Sequence, residues 1–156
     1  MGLKPKNLAE QESTTGLLGA WHANLLLIDR RKCVLFVNDK TLFNFIILGV
    51  KKEQLSKLDE YFRNYLQCIL ADEGYSDQIM QEYDTIGFAN TNNRSVIGAM
   101  NDLAFNYTVS IQQDGGVNSC MLPQIIHRLN RMPMKSLGYG YAIEALQSLY
   151  ATQKAD

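Results

Sequence analysis

The sequence has little of what metal-binding and disulfide-bonded proteins need. It contains three cysteines, Cys33, Cys68 and Cys120, and two histidines, His22 and His127. Because the cysteines are odd in number and far apart, no closely spaced pair is available for a structural zinc site or a disulfide framework. Two histidines alone cannot build a histidine-rich metal site. We therefore expect no metal and no cofactor, and a reducing, cytoplasmic compartment.

Long apolar runs and an excess of one charge are also missing. The longest apolar stretch, 42–50, contains Asn44 and Gly49 and is too short to cross a bilayer. Lys4 and Lys6 are not followed by the apolar segment of a secretory signal. Lysine and arginine total 15 against 16 acidic residues, so a net charge of −1 gives no overall case for nucleic-acid binding. These absences predict a soluble protein.

The motifs of common enzyme classes are absent as well. No serine lies in a nucleophile-elbow context, and no glycine-rich loop has P-loop or dinucleotide-binding spacing. The hydrophobic content of 46% over 156 residues is nevertheless enough for the core of one domain. We expect a single compact domain over 21–156, preceded by a mobile segment at 1–20.

The strongest structural signal lies in residues 21–50. Two apolar runs, Leu25–Ile28 and Cys33–Val37, flank a charged tip at 29–32, and a third run, 41–48, ends at Gly49. Unbroken apolar runs of this length are typical of strands buried on both faces. The tip has no glycine, so we predict a hairpin with a longer or bulged connection, followed by a third strand.

Helical periodicity follows the hairpin. Apolar residues at spacings of three and four predict one helix over 51–72, with Gly74 as its stop and Cys68 buried on its apolar face. The other predicted elements are a short helix after Ser76-Asp77, a short strand within 84–89, a helix capped by Asn93 or Ser95, one from Pro123 to before Pro133, and one over 142–150. The pattern predicts an α/β (α+β) fold: a small sheet built on the N-terminal hairpin, with several amphipathic helices packed against it.

Three stretches together resemble a known family. They are the run Trp-His-Ala-Asn-Leu-Leu-Leu-Ile-Asp-Arg-Arg-Lys-Cys-Val-Leu-Phe-Val-Asn-Asp-Lys-Thr-Leu-Phe at 21–43, Arg94–Asp102, and Leu-Asn-Arg-Met-Pro-Met at 129–134. Most of the chain beyond residue 20 resembles an uncharacterised family of small bacterial proteins. The resemblance implies a bacterial or phage origin and a compact α/β domain, and it implies no activity.

Candidate binding residues lie at the hairpin tip and at a predicted helix start. Arg30, Arg31 and Lys32 suit phosphate or carboxylate contacts, although a basic tip also discourages edge pairing between sheets. Arg94 and Ser95 lie where a helix is expected to begin, an anion-friendly position, with Asn101 and Asp102 about two turns later. There the alternative is a capping turn with Arg94 solvated.

A third cluster follows Pro123. His127, Asn130 and Arg131 occupy neighbouring positions of one helix face and could read a nucleotide or an acidic partner segment. Alternatively, Arg131 ties down the loop that follows. His22, at the entry to the first strand, is a candidate general base or simply a packing residue.

No complete catalytic set emerges from these residues. The function that fits is therefore a non-enzymatic binding module that recognises a protein partner or an anionic ligand through arginine and asparagine clusters. One alternative is a small enzyme acting on a phosphate-bearing substrate, with His127 or His22 as acid–base. Another is nucleic-acid binding through a local basic face. A homodimer is also open, through an exposed strand edge or the tyrosine-rich C-terminal helix.

Overall fold

A computed structural model describes residues 18–75, 87–88 and 94–155 of the protein, with backbone alone for 152–155. The elements in chain order are β1 (Ala20–Ile28), β2 (Arg31–Asn38), β3 (Asn44–Ile47), α1 (Lys52–Leu55), α2 (Leu58–Asp72), β4 (Gly87–Phe88), α3 (Arg94–Gln113), α4 (Leu122–Leu129), β5 (Pro133–Met134), a 3₁₀ turn (Lys135–Leu137), β6 (Gly140–Tyr141) and α5 (Ala142–Ala155). The α/β class is confirmed. Among these described helices, none combines the length and apolarity needed to cross a membrane. The helix expected after Ser76-Asp77 lies outside the described residues, as does most of 1–20.

The predicted hairpin is present at the centre of the sheet. The strand order is β3-β2-β1-β4; β2 is antiparallel to both β1 and β3, and β4 runs parallel to β1. The expected longer or bulged connection is wrong. Ile28 pairs directly with Arg31, so Asp29 and Arg30 form a two-residue turn with φ of 53° and 64°. Positive φ at both central residues is the requirement of a type I′ turn, whose twist matches the strands even without glycine.

Burial on both faces holds for β2 but not for β1. Residues 33–38 of β2 are all buried, whereas most of β1 is half-buried and Leu27 is 71% exposed. The reason is position in the sheet. In the described part of the chain, β1 is flanked on one side by a β4 strand of only two residues, so much of its length lies near an edge.

One face of the sheet is aromatic. Trp21 and Phe36 pack against Phe62 of α2 with ring centroids 5.2 and 4.8 Å apart, and Phe45 joins them. These side chains share a face because strand residues alternate in direction and directly opposed residues point the same way. The predicted helix over 51–72 is divided into α1 and α2 at residues 56–57, and Cys68 is exposed rather than buried. The apolar stripe of α2 buries Leu70 instead.

The opposite face carries a buried polar network centred on Asn44 of β3. The Tyr107 hydroxyl of α3 donates to Asn44 Oδ1 at 2.7 Å. The Asn130 side chain accepts from the Asn44 backbone N–H at 2.9 Å and donates to its carbonyl at 2.8 Å. Asn130 thus satisfies the outer edge of β3 in the place of another strand. All three residues are fully buried, so the network fixes α3 and α4 against the sheet.

Replacing Tyr107 with phenylalanine tests this network. Removing the hydroxyl leaves Asn44 Oδ1 buried without its donor, so we expect the free energy of unfolding to fall by about 1–3 kcal/mol. The matched control is Tyr65→Phe, because Tyr65 is 40% exposed. Urea denaturation measures both, and an equal, small effect in the two variants would contradict a structural role for the hydroxyl.

A second prediction concerns the tight turn. Arg30 has a φ of 64°, which glycine adopts without the steric penalty of a Cβ. We therefore expect Arg30→Gly to raise the free energy of unfolding by up to about 1 kcal/mol. Arg31→Gly, one residue later in an extended strand, should lower it. A lower free energy of unfolding in Arg30→Gly would contradict this, because it would mean that the Arg30 side chain stabilises the fold by more than its positive φ costs.

Candidate functional site

An open groove of about 700 Å³ lies beside the start of α3. One wall is the N-terminal half of α3 and the other is the segment 132–136, which contains β5 and the start of the 3₁₀ turn. The lining residues are Arg94, Ser95, Gly98, Ala99, Asn101, Asp102, Met132, Pro133, Met134, Lys135 and Ser136. Its size is in the range of small-molecule sites in proteins.

The α3 wall brings together residues that the sequence analysis had grouped. Arg94, Ser95, Asn101 and Asp102 all line the groove, as expected if they share one helix face. The helix begins at Arg94, so Ser95 is its second residue rather than its cap, and Asn93 lies outside the described part of the chain. The β-rich stretch 107–111 is helical, because its apolar residues continue the stripe that packs on the sheet.

The opposite wall follows α4. Pro133 and Met134 form β5, which pairs with β6, and Lys135 and Ser136 begin the 3₁₀ turn. The hydroxyl of Ser95 donates to that of Ser136 at 3.1 Å and joins the two walls. Met134 and Ala99 are buried beneath the groove, whereas Pro133 is exposed in it. The groove therefore combines apolar and polar lining residues, of which Met134 and Ala99 are buried.

The charges of the groove are unequally placed. Arg94 is next to Ser95 in the chain at the start of α3, and Lys135 is next to Ser136, the residue of the other wall that Ser95 contacts. Within the described part of the chain, neither Arg94 nor Lys135 lies within salt-bridge distance of a carboxylate. Asp102 lies two turns along the helix. One end of the groove is cationic and the other carries Asn101 and Asp102.

The hairpin tip lies elsewhere. Asp29 Oδ2 accepts a hydrogen bond from the Val117 backbone N–H at 2.9 Å, just beyond the C-terminal end of α3. The tip is therefore near the opposite end of α3 from Arg94. Arg30, Arg31 and Lys32 are exposed there but line none of the described cavities. The structure does not bring the basic tip and the groove into one site, and a binding role for the tip stays a prediction.

The third cluster is tied into the fold. Asn130 is fully buried and its side chain is bonded to Asn44 and to the Ile126 carbonyl, so we assign it a structural role. Arg131 forms a bidentate pair with Glu73 at the end of α2, with N–O distances of 2.9 and 3.1 Å. The same arginine donates to the His127 carbonyl at 3.0 Å. Arg131 therefore has a structural role, but it bonds Glu73 and the preceding His127 carbonyl rather than the loop that follows it, as the alternative had predicted.

Neither histidine lines the groove. His22 is buried, and its Nε2 lies 2.8 Å from Asp39 Oδ1. His127 Nδ1 lies 3.7 Å from Glu73 Oε2 on the exposed side of α4. Burial raises the pKa of the Cys33 and Cys120 thiols, which keeps both in the weakly nucleophilic protonated form. No three histidine, cysteine, aspartate or glutamate side chains of the described ranges gather as a metal-binding group.

Sequence reasoning missed Gly98, Lys135 and Ser136. Gly98 did carry a signal, because a glycine inside a helix is less stable than alanine by about 0.5–1 kcal/mol and usually has a reason to be there. A Cβ at Gly98 would meet no atom within 4 Å, so this glycine leaves open space above α3. Lys135 and Ser136 had no such signal, because their approach to Ser95 depends on the fold.

The pairing of Arg131 with Glu73 generates a stability prediction. Arg131→Gln removes both charged hydrogen bonds from a carboxylate that is only 13% exposed, and we expect a loss of about 1–2 kcal/mol. The control is Arg128→Gln, which removes one bond between exposed side chains, Arg128 and Ser110, and should change stability by less than about 0.5 kcal/mol. Urea denaturation compares them, and the pairing would be dispensable if Arg131→Gln behaved like the control.

The family of the protein can be identified from its similarity to known sequences. No curated protein matches the chain. A family model described as "Domain of unknown function (DUF6933)" matches residues 1–145. This agrees with the resemblance to an uncharacterised family carried by 21–43, 94–102 and 129–134, and it assigns no role to the groove. The chain belongs to this DUF6933 family of domains of unknown function.

Proposed function

We propose that the protein is a non-enzymatic binding module that holds an anionic ligand, or an anionic segment of a partner protein, in the groove between α3 and residues 132–136. The observation that carries the proposal is that Arg94 and Lys135 line one groove of about 700 Å³, each next in the chain to one of the two serines, Ser95 and Ser136, that join its walls. Segments 41 residues apart in sequence, joined by the Ser95–Ser136 contact, supply these residues.

The chemistry at the cationic end of the groove suits an anion. A guanidinium and an ammonium group offer charged donors, and charge-assisted hydrogen bonds to phosphate or carboxylate are about twice as strong as neutral ones. The hydroxyls of Ser95 and Ser136 donate to Ser136 Oγ and to the Ser95 carbonyl, and either would donate to an anion only by rotating away from that bond. The backbone N–H groups of the first turn of α3 and the positive end of the helix dipole both favour a negative charge at the start of the helix. A bound anion would thus pair with Arg94 and Lys135, which form no salt bridge with a carboxylate of the described residues.

Binding is favoured over catalysis because neither histidine lines the groove. The phosphate-processing enzyme considered from the sequence needs His22 or His127 beside an arginine-lined cleft. Each histidine instead lies against its own carboxylate, Asp39 or Glu73, away from the groove lining. Asp102 is present, but a lone exposed carboxylate without a neighbouring acid or nucleophile makes no complete catalytic set.

Nucleic-acid binding has less support. The basic side chains of the hairpin tip and those of the groove lie near opposite ends of α3 and do not form one continuous face. Continuous neutralisation of several phosphates is what gives sequence-independent binding its strength.

The test is a titration with inorganic phosphate and with an acidic peptide, followed by NMR chemical shifts of backbone amides. We expect the largest shifts at residues 94–98 and 134–136. Replacing Arg94 and Lys135 together by glutamine should weaken binding by about tenfold or more, since each charged hydrogen bond contributes about 1.5–3 kcal/mol. The affinity should also fall as salt is raised, because the groove is open to solvent.

The matched control is the double variant Arg30→Gln and Arg31→Gln, which removes the same charge at the hairpin tip. It should bind both probes like the unaltered protein. The opposite pattern, with binding lost at the tip and kept in the groove variant, would move the site to the tip. Binding of neither probe at any salt concentration would overturn the proposed function.

A further inference from the structure

We infer that the groove takes a mononucleotide, with the phosphate at Arg94 and Lys135, the ring system above Gly98, and donor groups of the sugar or base at Asn101 and Asp102. This inference rests on the proposed function and narrows it from any anion to one chemical class. It follows from three kinds of surface that lie in order along α3: a cationic part at Arg94, an open part at Gly98, and a polar part at Asn101 and Asp102.

The cationic end accounts for the phosphate. Arg94 and Lys135 both line the groove, and each is next in the chain to one of the two serines, Ser95 and Ser136, whose hydroxyl oxygens lie 3.1 Å apart. A phosphate has three acceptor oxygens in different directions, so it can use donors from both walls at once. A carboxylate has two oxygens in one plane and would leave part of this set unused.

The middle of the groove accounts for a ring. Gly98 lies one helical turn after Arg94 on the same side of α3, and it leaves the helix backbone uncovered. The opposite wall contributes the apolar residues Met132 and Pro133. A flat ring can lie between an uncovered backbone and an apolar wall, and methionine adapts to its shape.

The far end of the groove can bind hydrogen-bond donors of the ligand. Asn101 and Asp102 lie seven and eight residues after Arg94, which is about 10–12 Å along the helix. This spacing suits a phosphate joined through a ribose to a base. The Asp102 carboxylate accepts hydrogen bonds from hydroxyl and amino groups, and the Asn101 amide can both donate and accept. Sugars and bases carry both kinds of group.

The same carboxylate selects the orientation and disfavours other anions. Asp102 repels a second negative charge, so a phosphate is stable only at the Arg94 end. An acidic peptide that fills the groove would bring further carboxylates toward Asp102, and a polyphosphate would extend its charge in that direction. A ligand with one anionic end and one donor-rich end avoids this repulsion. Among common small molecules, mononucleotides have that construction.

The experiment measures dissociation constants by calorimetry for the four ribonucleoside 5′-monophosphates, inorganic phosphate and an acidic peptide. We expect at least one mononucleotide to bind about tenfold or more tightly than inorganic phosphate. Asp102→Asn and Asn101→Ala should each reduce this preference and leave phosphate binding unchanged. Asp72→Asn at the end of α2 and Asn118→Ala in the loop after α3 are the matched controls, since both residues are exposed and outside the groove.

A second variant separates binding from folding. Gly98→Met puts a side chain into the space above α3 and replaces a helical glycine, so we expect the protein to be at least as stable as before. Mononucleotide binding should be lost, while phosphate should still bind at the Arg94 end. Retention of full mononucleotide affinity in this variant would overturn the inference.

The outcomes distinguish the two proposals. If phosphate binds as tightly as every mononucleotide, the anion site stands and the mononucleotide assignment is overturned. If the acidic peptide binds best, the binding module stands with a protein partner, and the mononucleotide is again excluded. If no probe binds, both proposals fail together.

Discussion

The side chain of Asn130 takes the place of a neighbouring strand along the edge of β3. Its amide group bonds the backbone N–H and carbonyl of Asn44 in one reciprocal pair, and donates a further bond to Ile126. Edge strands expose unpaired backbone groups, and an amide side chain is among the few that can satisfy a donor and an acceptor together. The Asn130 carbonyl in turn accepts from the Ile143 backbone N–H at 2.9 Å, which places the start of α5.

The groove depends on this arrangement, because both of its walls are anchored to Asn44. Tyr107 fixes α3 through the Asn44 side chain, and Asn130 fixes the chain immediately before residues 132–136 through the Asn44 backbone. Burial raises the pKa of Tyr107, so its hydroxyl stays protonated and remains a donor throughout the physiological pH range. Arg131 adds a second anchor on the far side through Glu73. A buried, fully bonded network of this kind specifies one arrangement of the elements it joins.

Helical periodicity predicted the helices but not every buried residue, since Cys68 is exposed, and residue type was a still weaker guide to burial. Asn130 and Arg131 are polar residues beside a proline-stopped helix, and that composition is shared by binding loops and by residues that pair inside a fold. Only burial decides between the two, and burial is a property of the whole chain. Arg94, Ser95, Asn101 and Asp102 line one groove because the helix period relates residues about two turns apart.

By itself, the sequence determined the local order of this protein: the apolar runs of β1 and β2, the stripe of α3, the stop at Gly74, and the shared face of Arg94 and Asn101. These follow from side-chain periods and backbone preferences acting over a few residues. The tertiary structure decided the type I′ turn at Asp29 and Arg30, where strand twist overrides the lack of glycine, and the break between α1 and α2. It also decided the meeting of Ser95 with Ser136. That contact joins segments far apart in sequence, and it exists because one asparagine of β3 holds both α3 and the residue that ends α4.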